Sequence, residues 1–345
     1  MALKIAINGF GRIGRCVTRL IAMRDDVELV AINDMASIDM LLYLLQNDSV
    51  HGSFAVDVAI VDKEYLQIGT NKVRIMCEKN PENLDFGLFE ADVVFECSGL
   101  FLTGASTRHH LEKGVKKVIL SAPTQDSDIA TFVLGVNEHL YQGESIISNA
   151  SCTTNCLGPI AKIIDEAFEI EKGLMTTIHA YTNGQAIIDT AHGSDKRRSR
   201  AAALNMIPTT TGAAKAISIV LPSLEGKLHG QSVRVPTPDV SMVDLNVVVK
   251  RRTSKEEIST LFKAYAKNQM VGILEVDERY RVSQDFVGSP FSATVADDLI
   301  QVIDGNMIKI MAWYDNEWGY SNRLIEMALF IMSWTPSEQS SDVQR

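Results

Sequence analysis

The stretch KIAINGFGRIGRCVTRLIAM, residues 4–23, decides the fold of the first half of this 345-residue chain. It passes from a strand-like apolar run into a helical one, with Gly9, Gly11 and Gly14 between them in G-x-G-x-x-G spacing. In that context the first glycine permits a tight turn, the second lets the backbone approach a pyrophosphate, and the third lets helix and strand pack closely. The stretch therefore predicts a dinucleotide-binding turn in a Rossmann-type α/β unit.

An acidic residue follows at the end of the next strand-like run. Asp34 closes ELVAIND, twenty positions after Gly14. A carboxylate there can accept hydrogen bonds from both hydroxyls of the adenosine ribose and would repel a 2′-phosphate, which favours NAD over NADP. On this pattern alone a flavin or an S-adenosyl cofactor stays open.

The remainder of the first 150 residues repeats this alternation of strand and helix. Helix-like runs at residues 12–24, 37–46 and 104–113 lie between strand-like runs, which predicts βαβ units and a parallel sheet. After Cys152 one helix is followed by long strand-like runs with few helices, among them SATVADDLIQVID at residues 292–304. This second pattern predicts an α+β domain with a mainly antiparallel sheet.

The change of pattern at Cys152 suggests two domains, as does the length of the chain. We expect an N-terminal Rossmann domain, a catalytic domain, a C-terminal helix that packs back on the first domain, and a polar tail. Their predicted ranges are residues 1–151, 152–316, 317–334 and 335–345.

Composition narrows the function classes. The formal net charge is −10, so the chain is a poor generic binder of nucleic acids or anionic membranes. No run of about 18 apolar residues predicts a membrane-spanning helix. The five cysteines show no C-x-x-C spacing, which favours free thiols in a reducing cytoplasm over a disulfide framework or a metal site.

One of these cysteines lies where a strand passes into a helix, in SNASCTTNC at residues 148–156. A helix N-terminus lowers the pKa of a thiol, so Cys152 is a candidate nucleophile that we expect to be partly thiolate. His179 ends the strand that follows this helix, LMTTIHA, and is the candidate base. Cys156, one helical turn further on, could be a metal or redox partner, but a packed thiol is the favoured interpretation.

Six segments together give a specific resemblance. INGFGRIGR, SNASCTTNC, HAYTN, TTTGAAKAI, VRVPTPDVS and WYDNEWGYS occur in this order, and from residue 3 to about 334 the chain resembles the glyceraldehyde-3-phosphate dehydrogenase family. The resemblance implies glycolytic oxidation of D-glyceraldehyde 3-phosphate with NAD and inorganic phosphate to 1,3-bisphosphoglycerate, through a hemithioacetal and a thioester on the cysteine.

The resemblance also implies roles for individual residues. Cys152 matches the nucleophile and His179 the base. The site of the attacking inorganic phosphate matches Ser151, Thr153, Thr211 and Gly212. The site of the substrate's own phosphate matches Thr182, Arg198 and Arg234. The cofactor contacts match Gly9, Gly11, Arg12, Ile13, Gly14, Asp34, Lys79, Ser121, Asn316 and Tyr320, with Asn316 on the nicotinamide carboxamide.

The segment 181–203 matches the family's S-shaped loop, which implies a homotetramer whose loops line neighbouring cofactor pockets. Within it, one or two arginines of KRRSR at residues 196–200 are expected to face the site. Three features depart from the family pattern. Gly184 lacks a side chain for the substrate phosphate, Leu100 replaces a common arginine, and Thr190-Ala191 replaces a Leu-Pro often found in NAD-only relatives.

Two other functions remain as alternatives. An erythrose-4-phosphate dehydrogenase would share the fold, the thiol and NAD, but it would use water as the acceptor, and the threonines of TTTGAAK argue against it. A binding or scaffold protein would have kept the fold and lost catalysis, and the intact Cys152, His179, Arg198 and Arg234 argue against that.

Overall fold

The computed structural model of the chain describes residues 2–193 and 195–336, so most of the predicted tail lies outside the described residues. The helices are α1 (Arg12–Ile21), α2 (Ile38–Gln46), α3 (Gly104–Glu112), α4 (Cys152–Phe168), α5 (Ala213–Val220), α6 (Lys255–Lys267) and α7 (Trp318–Ser333). The strands are β1 (Leu3–Asn8), β2 (Val27–Asn33), β3 (Asn47–Asp48), β4 (Gly52–Ser53), β5 (Val58–Asp62), β6 (Tyr65–Ile68), β7 (Asn71–Met76), β8 (Val93–Glu96), β9 (Lys117–Leu120), β10 (Ile146–Ser148), β11 (Ile170–Ala180), β12 (Ile207–Thr210), β13 (Leu228–Val235), β14 (Ser241–Val249), β15 (Leu274–Asp277), β16 (Ala293–Ala296), β17 (Gln301–Ile303) and β18 (Met307–Tyr314).

The first sheet has the order β10-β9-β8-β1-β2-β7-β6-β5. The strands from β10 to β7 pair in parallel, and β6 and β5 extend the sheet antiparallel. The strand order reverses beside β1, which lies between β8 and β2, and open α/β sheets bind their ligands at such a switch point. The predicted Rossmann-type parallel sheet is confirmed.

The second sheet has the order β12-β13-β11-β14-β18-β16-β15, with β17 paired to β18. Two of its pairs, β11 with β13 and β15 with β16, are parallel, and the other pairs are antiparallel. The predicted mainly antiparallel sheet is therefore confirmed. The parallel pair of β11 and β13 matters for function, because it aligns His179 with Arg234 at the same end of both strands.

The structure differs from the sequence prediction in several elements. The single strand predicted over residues 292–304 is two strands, because a short 3-10 turn at Asp297–Leu299 interrupts it. The charged helix α6 had been missed, although Ser254 caps it by accepting a hydrogen bond from the Glu257 N–H, in the S-x-x-E pattern typical of a helix start. The helix predicted over 12–24 ends at Ile21.

Two large hydrophobic cores meet at Cys152. One core joins the first sheet to α1 and α7, and the other joins α4 and α5 to the second sheet. The half-buried Cys152 packs against both of them. The nucleophile candidate thus lies where the two halves of the molecule are in contact.

Helix α7 connects both halves. The hydroxyl of Tyr320 donates to the carbonyl of Ala150 at 2.9 Å, just before α4. The buried guanidinium of Arg323 donates to the carbonyl of Gly272 at 2.9 Å, in the loop that leads to β15. Since other α7 side chains belong to the core of the first sheet, the helix fixes the two sheets relative to each other.

All five cysteines lie within the described residues and are free thiols. Cys156 is 0% exposed, so the packed thiol favoured by the sequence is confirmed. None of the helices in the described ranges combines the length and the apolar character that crossing a bilayer requires.

Candidate active site

Cys152 is the first residue of α4, and its neighbours hold it there. The Ser151 hydroxyl accepts a hydrogen bond from the Thr154 N–H at 3.1 Å and so caps the helix. Such a cap stabilises a helix start by about 1 kcal/mol. Ala150 has a φ of 56°, in the left-handed region that non-glycine residues rarely adopt. Its strained backbone turns the chain from β10 into the helix.

His179 and Arg234 approach the thiol from the ends of two neighbouring strands. They lie opposite each other in the parallel register of β11 and β13. His179 Nε2 is 3.6 Å from the Cys152 Sγ, within hydrogen-bonding reach of a sulfur. The sequence prediction that a helix followed by a strand returns the histidine to the helix start is therefore met by the geometry.

The partners of His179 Nδ1 decide which ring nitrogen can act as a base. Nδ1 lies 2.7 Å from the Ala180 carbonyl oxygen and 2.7 Å from Nη1 of Arg234. When Nδ1 donates its proton to Ala180, Nε2 is free to accept a proton from Cys152. A guanidinium has only donors, so a hydrogen bond from Arg234 to Nδ1 belongs to the other tautomer, in which Nε2 is protonated.

Burial disfavours the charged forms of both partners. It raises the pKa of Cys152 to about 11, opposed by the charge of Arg234 and by N–H groups at the helix start. Burial, and then the charge of Arg234, lower the pKa of His179 to about 3. Burial thus works against an isolated thiolate and against an isolated imidazolium, and the expected partial thiolate at the helix start stays a prediction. The pair can produce a thiolate by passing the proton from Sγ to Nε2.

Two arginines next to this pair form a site for an anion. Burial lowers the pKa of Arg234, and the nearby charge of Arg198 lowers it further. The buried Nε of Arg234 has no hydrogen-bond partner among the described residues. In the same basic run Arg200 turns away to pair with Asp189 at 2.8 Å. Arg198 Nε lies 3.2 Å from Asp195, and a phosphate would offset the repulsion between Arg198 and Arg234.

The other residues predicted for the substrate phosphate and the inorganic phosphate differ in availability. Thr182 is exposed, and its hydroxyl donates to the Gln185 side chain at 3.1 Å. Thr153 is 4% exposed, and its hydroxyl bonds the buried hydroxyl of Tyr314 at 2.9 Å. The Thr153 hydroxyl is therefore bound to Tyr314 and its backbone N–H lies at the helix start, while its role at the inorganic phosphate stays a prediction.

Thr211 and Gly212 form the start of α5, where the Thr211 hydroxyl accepts from the Ala213 N–H at 3.2 Å. Strand β12 runs antiparallel to β13, with Ile207 opposite Arg234 and Thr210 opposite Gln231. The TTTG turn is thus displaced from Arg234 by about 10 Å along the strand, at about 3.3 Å per residue. The two predicted phosphate sites, one at the arginines and one at a helix N-terminus, are therefore separate in space.

A cleft of about 590 Å³ opens at the carboxyl ends of β1, β2 and β8. Four of the predicted cofactor residues line it, namely Gly9, Gly11, Asp34 and Lys79. The other lining residues are not among the predicted cofactor contacts: Asn8, Asn33, Met35, Glu78, Cys97, Ser98, Leu100 and Phe101. Their position directly at or after strand ends of a parallel sheet was the signal that could have identified them.

The glycine turn at this cleft fits a pyrophosphate. Gly9 has a φ of +98°, and a Cβ on Gly14 would lie 2.3 Å from the Gly9 carbonyl oxygen, so both positions need glycine. A Cβ on Gly11, in contrast, would meet no atom within 4 Å. That open space above the first turn of α1 is where phosphate oxygens can approach backbone N–H groups.

Asp34 is held at the cleft by two backbone N–H groups. One carboxylate oxygen accepts from Phe10 at 2.8 Å and the other from Ala36 at 2.9 Å. Each oxygen keeps a further lone pair for a ribose hydroxyl. The residues present therefore fit the adenosine half of NAD.

The remaining predicted cofactor residues have more indirect positions. The Arg12 side chain is bound by Glu317 at 2.8 Å and Asp48 at 3.0 Å, which leaves its backbone N–H for a cofactor. Ile13 packs against the first core. Burial raises the pKa of Cys97, at the rim of the cleft, to about 12. A hydrogen bond between Ser121 and Cys97 opposes this effect and lowers the pKa. Tyr320 is buried, and its hydroxyl donates a hydrogen bond to the Ala150 carbonyl.

Asn316 lies between two members of a buried ionic network that the sequence did not reveal. Glu317 accepts from Arg12 and lies 3.0 Å from Nε2 of His51. Three backbone N–H groups, from Gly288, Glu317 and Trp318, donate to Asp315. Burial and the neighbouring charge of Asp315 raise the pKa of Asp239. These residues come from distant segments, which is why no local motif connects them.

Comparisons with known proteins agree with this geometry. The family model for the glyceraldehyde 3-phosphate dehydrogenase NAD binding domain matches residues 3–104, and that for the C-terminal domain matches residues 151–316. Glyceraldehyde-3-phosphate dehydrogenase of Geobacillus stearothermophilus is 48% identical over 96% of this chain and 99% of its own length. The enzymes of Priestia megaterium and Helicobacter pylori are also 48% identical, over 96% and 95% of this chain and 98% and 99% of their own lengths. The chain belongs to the glyceraldehyde-3-phosphate dehydrogenase family.

Proposed function

We propose that this NAD-dependent oxidoreductase converts D-glyceraldehyde 3-phosphate and inorganic phosphate to 1,3-bisphosphoglycerate in the cytoplasm. The observation that carries the proposal is the Cys152 Sγ at a helix N-terminus, 3.6 Å from His179 Nε2 and beside Arg234. The division at residues 151 and 152 into a cofactor domain and a catalytic domain is part of the proposal. The two cores that meet at Cys152 support it.

The first step is addition of the Cys152 sulfur to the aldehyde carbon. His179 Nε2 takes the thiol proton as the carbon–sulfur bond forms and keeps it beside the product, which is the alkoxide form of the hemithioacetal. The phosphate of the substrate lies on Arg198 and Arg234, which places the aldehyde at a fixed distance from the anion site. When bound, NAD supplies the hydride acceptor that converts the hemithioacetal to a thioester.

Arg234 couples phosphate binding to the base. Its Nη1 lies 2.7 Å from His179 Nδ1, where it competes with the proton that Nδ1 donates to Ala180. A bound phosphate offers the guanidinium a charged acceptor and draws its donors away from Nδ1. The tautomer with a free Nε2 is then favoured, so that the base is available when substrate is present.

The second half of the reaction releases the acyl group to inorganic phosphate. The N-terminus of α5 at Thr211 and Gly212 and the Ser151–Thr153 backbone at the start of α4 are the proposed binding site. Phosphate attacks the thioester carbon, the carbon–sulfur bond breaks, and the thiol regains its proton from His179. The acyl phosphate leaves with its reactive carbonyl intact.

Assembly into a homotetramer is also part of the proposal. The loop segment 181–203 and the turn that follows it expose large apolar side chains in the isolated protomer. Ile187 is 87% exposed, Ile188 73%, Leu204 82% and Met206 75%. Clustered exposed apolar residues are typical of protein interfaces, and a second copy of this chain is the proposed partner.

The turnover assay is the main test of the proposed function. NADH formation from D-glyceraldehyde 3-phosphate should require inorganic phosphate, because the thioester has no other acceptor of comparable reactivity in the site. Cys152→Ser should bind NAD and lose turnover, since a hydroxyl is a far weaker nucleophile near pH 7. Phosphate-independent oxidation of erythrose 4-phosphate would identify the alternative dehydrogenase, and NAD binding without any turnover would identify a scaffold.

His179→Asn should lower kcat by roughly 10²–10⁴-fold, the usual contribution of a general base. Iodoacetamide alkylation of Cys152 provides a measurement without cofactor. Near pH 7 the variant should be alkylated more slowly than the wild type, because its thiol can lose the proton only to solvent and burial raises the thiol pKa to about 11. His229→Asn, a change at an exposed histidine of β13, is the control. Identical alkylation rates for His179→Asn and the wild type would exclude His179 as the base.

Asp34→Ala should raise the ratio of kcat/KM for NADP to that for NAD by about 10–100-fold, since a charge-assisted hydrogen bond to ribose is lost together with the repulsion of a 2′-phosphate. Asp34→Asn is the matched variant, because it removes the charge and keeps one acceptor for the Phe10 or Ala36 N–H. If neither variant changes the ratio, selectivity resides elsewhere, for example at Thr190 and Ala191.

Ile188→Glu should dissociate the tetramer and weaken NAD binding at the same time, because the loop would no longer reach a neighbouring cofactor pocket. Sedimentation velocity and calorimetric titration with NAD measure the two effects. Leu88→Glu, at a residue of similar exposure outside the loop, is the control. A wild-type protein that sediments as a fully active monomer would contradict the shared loop and leave the thiol chemistry untouched.

A further inference from the structure

Ser241 lies between the strand of the catalytic base and Asn316. It is the first residue of β14 and is 1% exposed. Its hydroxyl oxygen accepts a hydrogen bond from the Ala180 N–H at 3.1 Å, and its hydroxyl donates to Oδ1 of Asn316 at 2.6 Å. Because Ala180 directly follows His179, one buried hydroxyl connects the base to the residue expected at the nicotinamide.

These two hydrogen bonds decide which atom of the Asn316 amide faces Ser241. The Ala180 N–H can only donate, so it uses a lone pair of the Ser241 oxygen and leaves the hydroxyl proton for another acceptor. A separation of 2.6 Å suits an O–H···O bond, whereas N–H···O bonds are usually about 2.9–3.0 Å long. Oδ1 of Asn316 therefore points to Ser241, and Nδ2 points away from it.

The amide nitrogen is left free for a ligand. Within the described residues the hydrogen bond to Ser241 is the one that the Asn316 side chain makes. The flanking residues cannot shift easily, because Asp315 is bound by three backbone N–H groups and Glu317 by Arg12. Asn316 thus presents two N–H donors at a fixed position.

We propose that Ser241 is a positioning residue, which fixes the Asn316 carboxamide so that Nδ2 donates to the carboxamide oxygen of the nicotinamide. The inference rests on the proposed function, which assigns Asn316 to that group. Without Ser241 the amide could rotate by 180° and offer an acceptor where a donor is needed. The loss would affect the nicotinamide half of the cofactor and leave the adenosine half at Asp34 unchanged.

The backbone around Ser241 is built to hold this orientation. Val240 has a φ of 63°, an outlier for a β-branched residue, and it is 3% exposed. Such strain persists only where the surroundings enforce it. Ser241 is also paired with Tyr314 in the register of β14 and β18, two residues before Asn316. Both partners of the hydroxyl bond are therefore fixed by the same pair of strands.

Calorimetric titration of the full-length protein with NAD and with ADP-ribose tests the proposal. ADP-ribose lacks the nicotinamide and reports on the adenosine half alone. Ser241→Ala should weaken NAD binding about 5–30-fold, as expected for a hydrogen bond whose loss leaves buried groups unpaired. ADP-ribose affinity should stay within about twofold, the scatter expected for a change outside its site. Equal losses for both ligands, or unchanged NAD affinity, would overturn the proposal.

A double-mutant cycle separates positioning from a general structural effect. If Ser241 acts through Asn316, Ser241→Ala should have little further effect on NAD affinity in an Asn316→Ala background, whereas additive losses would contradict the proposal. Ser292→Ala, which removes a buried hydroxyl without a hydrogen-bond partner among the described residues, is the control. If Ser241→Ala does not fold, the same titrations are made with Ser241→Cys. This variant keeps a side chain of similar volume, with a thiol as a weak hydrogen-bond donor. A wild-type protein that binds neither ligand would instead refute the proposed function.

Discussion

The contact between the Cys152 sulfur and the His179 imidazole is the constraint on which the rest of the structure depends. A sulfur and a ring nitrogen 3.6 Å apart must be held in place without water between them. The chain achieves this by placing the sulfur at the first turn of a helix that belongs to one core and touches the other. The histidine arrives on a strand fixed by neighbours on both sides, β13 and β14. Both groups are therefore positioned by rigid elements rather than by loops.

Burial gives this contact its chemical character. It raises the pKa of the thiol and lowers that of the imidazole, so an isolated charge on either group is disfavoured. Charges in such a place are costly unless they are paired. The unpaired group is Arg234, whose buried Nε lacks a hydrogen-bond partner among the described residues. A bound anionic substrate would offset the charge of Arg234. This one guanidinium therefore links substrate binding to activation of the Cys152 thiol.

Local patterns predicted the parts of the site that are local in sequence. The glycine turn, Asp34 and the Cys152 helix start each depend on residues within one strand–turn–helix unit. Hydrogen bonds between distant segments were not predictable in this way. Thr153 bonds Tyr314 and Arg12 bonds Glu317, and neither partner is visible in the local motif. The burial that raises the pKa of the Cys152 thiol was not predictable either, since sequence shows only the helix start.

Backbone strain occurs at two positions that flank the reacting groups. Ala150, with a φ of 56°, precedes the cap of the Cys152 helix, and Val240, with a φ of 63°, precedes Ser241. Each strained residue is buried and is followed by a serine whose hydroxyl accepts a backbone N–H and fixes the next functional group. Such conformations persist only where packing enforces them, so packing in the two cores stabilises these strained turns. The strained backbone at Ala150 and Val240 thus gives the nucleophile and the cofactor amide one orientation each.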